Sequence, residues 1–186
     1  MEPIVLTGKK ELDIYINPQR QNILRTMQIH TLPMTAKQIA DLVGISASSV
    51  QHHIRLLREL GIVEQSHTEQ IHGITATYFR VLPRTVRIGS LVADEHSNQR
   101  TAIMQANLNS VFTGFLSYCA DTSEQSVGDG PFGDMLSGIT HLRADEATAL
   151  YTLITDFLQA HESAESHTAA WEYALIAYPV EEKPHA

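Results

Sequence analysis

Gly44 divides residues 35–63 into two short amphipathic segments, and that division limits the possible folds more than any other feature of the 186-residue chain. Before it, Ile39, Ala40 and Val43 share one helical face. Thr35 is placed to cap that helix, and Gln38 three residues on completes a capping-box pattern. After the glycine, Ser46 or Ser48 can cap a second helix. Two short helices joined by a tight turn predict a helix-turn-helix.

On a wheel of about 100° per residue, Val50, Ile54 and Leu57 of the second helix fall within a narrow arc, the expected buried stripe. Ser48, Gln51, His52 and Arg55 fall opposite. These side chains are donors and acceptors of the kind that reach base edges and phosphates in a major groove. Glu59 lies on the same side a turn further on. His53 falls at the edge of the buried side and reads as a packing or backbone-contact residue.

The flanking segments fit around this pair. Asn17 as N-cap and Pro18 at the first helical position predict a helix over 18–29, with Ile23, Leu24 and Met27 as its apolar stripe. Residues 4–7 read as a short strand before Gly8. Residues 62–66 and 74–81 read as two strands around a polar turn with Gly73 near its end, a hairpin wing. His67, Thr68, Gln70 and His72 are its candidate contacts, and Glu69 stands where a cation is usual.

From residue 12 to 86 the chain resembles the ArsR-like winged helix-turn-helix regulators of bacteria and archaea. The matching residues are Asn17-Pro18-Gln19-Arg20 with Ile23-Leu24, then Gln38-Ile39-Ala40-Asp41-Leu42. They continue through Ser49-Val50-Gln51-His52-His53-Ile54, Leu57-Arg58-Glu59-Leu60-Gly61-Ile62-Val63 and Thr77-Tyr78-Phe79-Arg80-Val81. The resemblance implies a dimeric repressor that leaves DNA when a ligand binds, with the helix after the wing as dimer interface. A two-fold dimer sets its recognition helices roughly 34 Å apart, one DNA turn. The expected DNA-contacting set is Thr35, Lys37, Gln38, Ser46, Ser48, Ser49, Gln51, His52, Arg55, His67, Thr68 and Gln70.

The net charge of −8 runs against a DNA-binding role until the chain is divided. Residues 1–92 hold ten Lys and Arg against seven Asp and Glu, giving +3; residues 93–186 hold three against fourteen, giving −11. That asymmetry suggests a nucleic-acid-facing half joined to an acidic half.

Beyond the wing, a long amphipathic helix is expected over 94–120. Met104, Leu108, Val111, Phe112 and Phe115 recur at helical spacing and form the expected dimerisation set. Residues 121–135, rich in Ser, Gly and Asp, read as a linker. A strand is expected over 136–142, a helix over 144–161 with Ala147, Leu150, Tyr151, Ile154, Phe157 and Leu158 as its buried face, and a strand over 171–178. The last six residues read as a frayed tail. The fold class is α+β, comprising an N-terminal winged helix-turn-helix (1–90), a dimerisation helix (91–120) and a small C-terminal α+β region (136–186).

Sensing chemistry is sparse. The cysteine pair that soft-metal sensors of the resembled family carry in the second helix is missing, since Cys119 is the only cysteine. Asp94 and His96 supply half of the other metal pattern of that family, but Ala106, Asn107 and Ser110 stand where the second half belongs, and a zinc site needs three or four ligands. His161, Glu165 and His167 read as hydrated groups at a helix end. No P-loop, nucleophile elbow or His-Glu-x-x-His motif is present, so neither metal, cofactor nor catalysis is expected.

The lone cysteine and the absence of a signal-like start point to the cytoplasm, and no stretch approaches the roughly 18 apolar residues of a membrane span. The expected function is a dimeric, sequence-specific regulator of transcription, a repressor bound to double-stranded DNA, with a small-molecule effector of unknown identity left open. The alternative is a winged-helix protein-interaction module that binds no DNA.

Overall fold

The computed structural model describes residues 4–30, 32–88, 94–122, 133–162 and 168–180. It falls into two units, residues 1–103 with 139–170 and residues 104–138 with 171–186. The expected linker is largely outside the described residues, as are Glu165, His167 and the tail.

In the first unit β1 (Ile4–Val5) leads into α1 (Lys9–Ile16), a helix that the sequence reading did not anticipate. Its start is local chemistry: the Glu11 carboxylate accepts the backbone N–H groups of Thr7 and Gly8 at 2.9 and 3.0 Å. Those bonds, chiefly the one from Gly8, hold the Glu11 carboxyl below the usual carboxylate range. Helix α2 (Pro18–His30) begins where Asn17 Oδ1 accepts from the N–H groups of Gln19 and Arg20.

Strand β2 (Met34–Thr35) runs directly into α3 (Ala36–Val43). Thr35 and Gln38 close the capping box reciprocally, with Gln38 N–H to Thr35 Oγ1 at 3.2 Å and Thr35 N–H to Gln38 Oε1 at 2.8 Å. Gly44, at φ 72°, ends α3 in the left-handed region and returns its N–H to Ala40. Ser46 then caps α4 (Ala47–Glu59), accepting the Ser49 N–H at 3.1 Å.

The wing consists of β3 (Val63–Ile71) and β4 (Ile74–Val81), antiparallel, with β2 on the far side of β4. His72 and Gly73, both at positive φ, form the two-residue turn, whose twist matches that of the strands it joins. The hairpin is therefore longer and its turn tighter than expected, and His67, Thr68 and Gln70 lie in strand β3 rather than in a loop. A bulge between Gln65 and His67 shifts the register by one residue. Strand β5 (Val86–Arg87) pairs parallel with β1.

One core joins these elements: Ile23, Leu24 and Met27 of α2, Ile39 and Ala40 of α3, Val50, Ile54 and Leu57 of α4, with Met34, Ile62 and Val63 from the sheet side. A smaller cluster packs Leu6 and Leu12 against Ile103. Ile103 belongs to the long helix α5 (Ser97–Thr122), within which the boundary between the units falls. Residues 94–96 are not helical as expected; Asp94 is instead the acceptor for the His96 N–H and for the Arg100 guanidinium. The bidentate pair holds the Asp94 carboxyl down at about 2.

Helix α6 (Ala144–Ala160) forms at the expected place, but it buries no residue. Of the face expected to be buried, Ala147, Leu150, Tyr151 and Phe157 are exposed and Ile154 and Leu158 half-buried. The strands expected over 136–142 and 171–178 are absent, since residues 133–143 and 168–180 carry no strand. Alternating apolar residues define a strand only where a partner completes the hydrogen-bond ladder. Here Leu136 and Ile139 stand 92% and 80% exposed. In the second unit the described residues of α5 hold residue 133 through a hydrogen bond from its backbone N–H to the Tyr118 hydroxyl.

Candidate nucleic-acid interface

Helix α4 is fixed on one side and free on the other. Val50 and Leu57 are fully buried and Ile54 is nearly so, while Ser48, Gln51, His52 and Arg55 are exposed on the opposite face. Arg55 extends along that face to His52, with Nη2 3.2 Å from Nδ1. This contact makes the His52 ring an acceptor at Nδ1, and it preorganises a guanidinium beside an imidazole on the surface. Ser48 Oγ lies 3.0 Å from the capping Ser46 Oγ, so the first turn also presents hydroxyls. Arg58, outside the expected set, is exposed in the last turn and adds a second guanidinium at the flank of the same face.

Other members of the expected set are taken up locally. Thr35 and Gln38 spend their side chains on the capping box. Lys37 forms an exposed ion pair with Asp41 at 2.5 Å, one turn along α3. Such a pair is worth little in water, so Lys37 remains free to exchange Asp41 for another anion. Ser49 is half-buried and gives its N–H to the cap.

The wing divides its residues between two faces. Pairing after the bulge places Thr68 opposite Thr77 and Gln70 opposite Thr75, and these four share the face that carries Phe79 and Val81 toward the core. Gln70 Nε2 donates to Thr75 Oγ1 at 2.8 Å across the strands. His67 lies on the reverse face, stacked on Tyr78 with ring centroids 4.4 Å apart and planes within 8°. Thr68 and Gln70 are thus brought together and His67 is separated from them. The sequence reading missed Thr75 and Thr77, although their period-two spacing from Phe79 carries the signal.

The outer face of the wing also holds Glu69, whose carboxylate accepts the Tyr78 hydroxyl and pushes that phenol up. No Lys or Arg occurs between Arg58 and Arg80, and Arg80 is paired with Glu64 at 2.6 Å. Beyond that pair at its base, the hairpin offers hydroxyls and amides and no Lys or Arg. The residues expected to dimerise lie elsewhere, on α5: Met104, Leu108 and Phe112 are exposed at steps of four residues, followed by Leu116, while Val111 and Phe115 are half-buried.

Among the described residues, no group of three or more His, Cys, Asp or Glu is gathered as a metal site, and Asp94 is engaged by Arg100. Likewise, no described helix is long and apolar enough to cross a membrane. A cleft of about 230 Å³ between β1, α1 and the end of α4, lined by Ile4, Leu6, Ile14 and Leu60 with Lys10 and Glu59, falls short of the roughly 300–1,000 Å³ of small-molecule sites.

Comparison with known proteins gives the following. No curated protein matches the chain. A possible transcriptional regulator from Methanosarcina mazei Go1 is similar in structure at 11% identity and a TM-score of 0.34, over 56% of this chain and 81% of that one. The ST1889 protein from the thermoacidophilic archaeon Sulfolobus tokodaii is 17% identical at a TM-score of 0.32, over 56% and 91%. The adhesin competence repressor AdcR from Streptococcus pyogenes is 14% identical at 0.33, over 81% and 84%. These likenesses are weak. One family model, described as a helix-turn-helix domain, matches residues 15–66. With the β3–β4 hairpin set beside that segment, the chain carries a winged helix-turn-helix domain.

Proposed function

We propose that the protein is a homodimeric regulator of transcription of the ArsR-like kind, a repressor, that reads the major groove of double-stranded DNA with the outer face of α4. The observation that carries this reading is the two-sidedness of α4. A helix capped at Ser46 and packed through Val50, Ile54 and Leu57 presents Ser48, Gln51, His52 and Arg55 to solvent with no carboxylate among them. Arg55 suits a guanine edge, Gln51 an adenine edge, and Ser46, Ser48 and Lys37 suit phosphates. Thr68, Gln70, Thr75 and Thr77 lie on one wing face as further phosphate or sugar contacts. His67 is a weaker candidate because its ring is stacked on Tyr78.

In this reading residues 1–90 form the DNA-binding domain and 91–120 the dimerisation helix, 121–135 the connection and 136–186 a region that supports the dimer or receives an effector. The exposed stripe of Met104, Leu108 and Phe112 supports self-association, because side chains of that size seldom stay in water along a whole helix face. Selection of bound sequences from random duplex DNA tests the reading. An inverted repeat with half-site centres one helical turn apart is the expected outcome, and failure to enrich any sequence at low salt overturns it.

The lack of any Lys or Arg on the distal wing, residues 65–79, favours one second reading, a winged-helix module that binds protein through the same face of α4. Under it, Arg55→Ala releases a protein partner in a pull-down and no DNA is retained by either form.

A further inference from the structure

Arg20 is the one charged side chain of α2 that turns inward, and it is 8% exposed. Its Nε donates to the Ile14 carbonyl and its Nη2 to the Asp13 carbonyl at 3.0 Å. The neighbouring Gln21 Nε2 donates to the Tyr15 carbonyl at 2.6 Å. These three carbonyls belong to the last turn of α1, where the helix itself supplies no N–H partners. From that anchor the third guanidinium nitrogen, Nη1, reaches Nδ1 of His53 on α4 at 3.4 Å. Among the described residues the partners of Arg20 are two carbonyls and one ring nitrogen, with no carboxylate. The cation is thus used as a fork of donors joining α1, α2 and α4.

We propose that Arg20 is a positioning residue for the reading face, which fixes the rotation of α4 through His53 and does so only while the His53 ring is neutral. The proposal rests on the DNA-reading role of α4. A guanidinium has no acceptor atoms, so the contact requires a lone pair on His53 Nδ1. Protonation removes that lone pair and sets two cations side by side in a half-buried place. His53 is held by this arrangement next to His52, the rings meeting edge to face at 5.5 Å, and His52 in turn holds Arg55. A displaced His53 therefore disturbs two of the four reading residues.

The groups around His53 agree on the sign. Burial, then Arg20 of α2, then His52 of α4 lower its proton affinity. Of the charged groups on the packed elements, Glu11 is held by the Thr7 and Gly8 N–H groups, Asp13 meets Gln99, and Lys10 pairs with Glu59, Lys37 with Asp41 and Glu64 with Arg80. Because the folded-state pKa lies below the unfolded one, the unfolded chain takes up the proton first. Stability is unaffected above the ordinary histidine value of about 6.5 and is lost as pH falls below it. Acid ordinarily strengthens DNA binding by adding positive charge, so weakening in acid is a diagnostic direction.

The test compares wild type, His53→Gln and Arg20→Lys on a duplex taken from the selection, at constant ionic strength from pH 8 to pH 5.5, with a melting curve at each pH. Glutamine offers Arg20 an acceptor that does not protonate, and His52 is common to all three proteins and cancels in the differences. Wild type is expected to lose roughly tenfold in affinity across this range and His53→Gln less than about twofold, and at pH 8 the two bind alike. Arg20→Lys, which cannot span three partners, is expected to bind roughly tenfold more weakly than wild type at pH 8. Identical pH profiles for wild type and His53→Gln, or full affinity in a folded Arg20→Lys, overturn the proposal. If no form binds any duplex, the DNA-reading role falls, and the melting curves still decide the ionic argument: the acid loss of Tm must be larger in wild type than in His53→Gln.

Discussion

Helix α4 and the β3–β4 wing are both exposed and both polar, yet they are built for different work. The helix has a buried stripe that sets its orientation and an outer face with Arg55 and Arg58. The wing is held by its own ladder, by the His67–Tyr78 stack and by the Gln70–Thr75 hydrogen bond, and its only full charge from His67 to Tyr78 is that of Glu69. Electrostatic attraction to phosphate therefore has to come from the helix face and its flanks. Of the two elements, the helix presents the guanidinium groups of Arg55 and Arg58, whereas the distal wing presents hydroxyls, amides, imidazoles and one carboxylate.

Four sets of substitutions test this contrast. The largest effect is expected from Leu57→Ala, which removes a fully buried side chain on which the orientation of α4 depends. Denaturant unfolding should register a loss of about 2–5 kcal/mol, against less than about 0.5 kcal/mol for Ile74→Ala at the exposed wing tip. Next comes Arg55→Ala. In fluorescence anisotropy on the selected duplex it should weaken binding by about 5–150-fold, corresponding to roughly 1–3 kcal/mol, while Thr68→Ala changes affinity by less than about threefold. Comparable losses from both would end the distinction between the two elements.

Ser46→Ala removes the acceptor that caps α4, and thermal unfolding should show a cost of about 1 kcal/mol, with glycine at the same position costing less. The smallest change is a gain. Glu69→Lys places a cation on the wing, and if the hairpin lies along the DNA backbone the slope of log affinity against log salt should steepen by about one. An unchanged slope would place the wing away from the phosphates.

How much of this was legible in the sequence depends on where each element finds its partners. Thr35, Gln38, Gly44 and Ser46 act on backbone within a few residues, so the turn between α3 and α4 could be read directly, as could the Val50, Ile54, Leu57 stripe. Helix α1 was missed because its start depends on Glu11 reaching back to Gly8 and its end on Arg20 and Gln21 of the next helix. Glu11 stands three residues after Gly8, the spacing read at Thr35 and Gln38, but a glycine carries no capping side chain, so the pattern is incomplete in the sequence. The faces of the wing required the position of the bulge, which no residue between Gln65 and His67 announces. In the C-terminal half, alternation at Trp171, Tyr173 and Leu175 suggested a strand, but a strand needs a paired neighbour and these residues are more than half exposed.

Whether the face opposite Val50, Ile54 and Leu57 reads DNA is decided by titrating the selected duplex with wild type and Arg55→Ala over a series of salt concentrations. Wild type is expected to show a steep salt dependence, and Arg55→Ala a slope reduced by about one if Arg55 meets a phosphate, or an unchanged slope with relaxed preference at one base pair if it meets a base. Equal affinity, equal slope and equal sequence preference for the two proteins would contradict it.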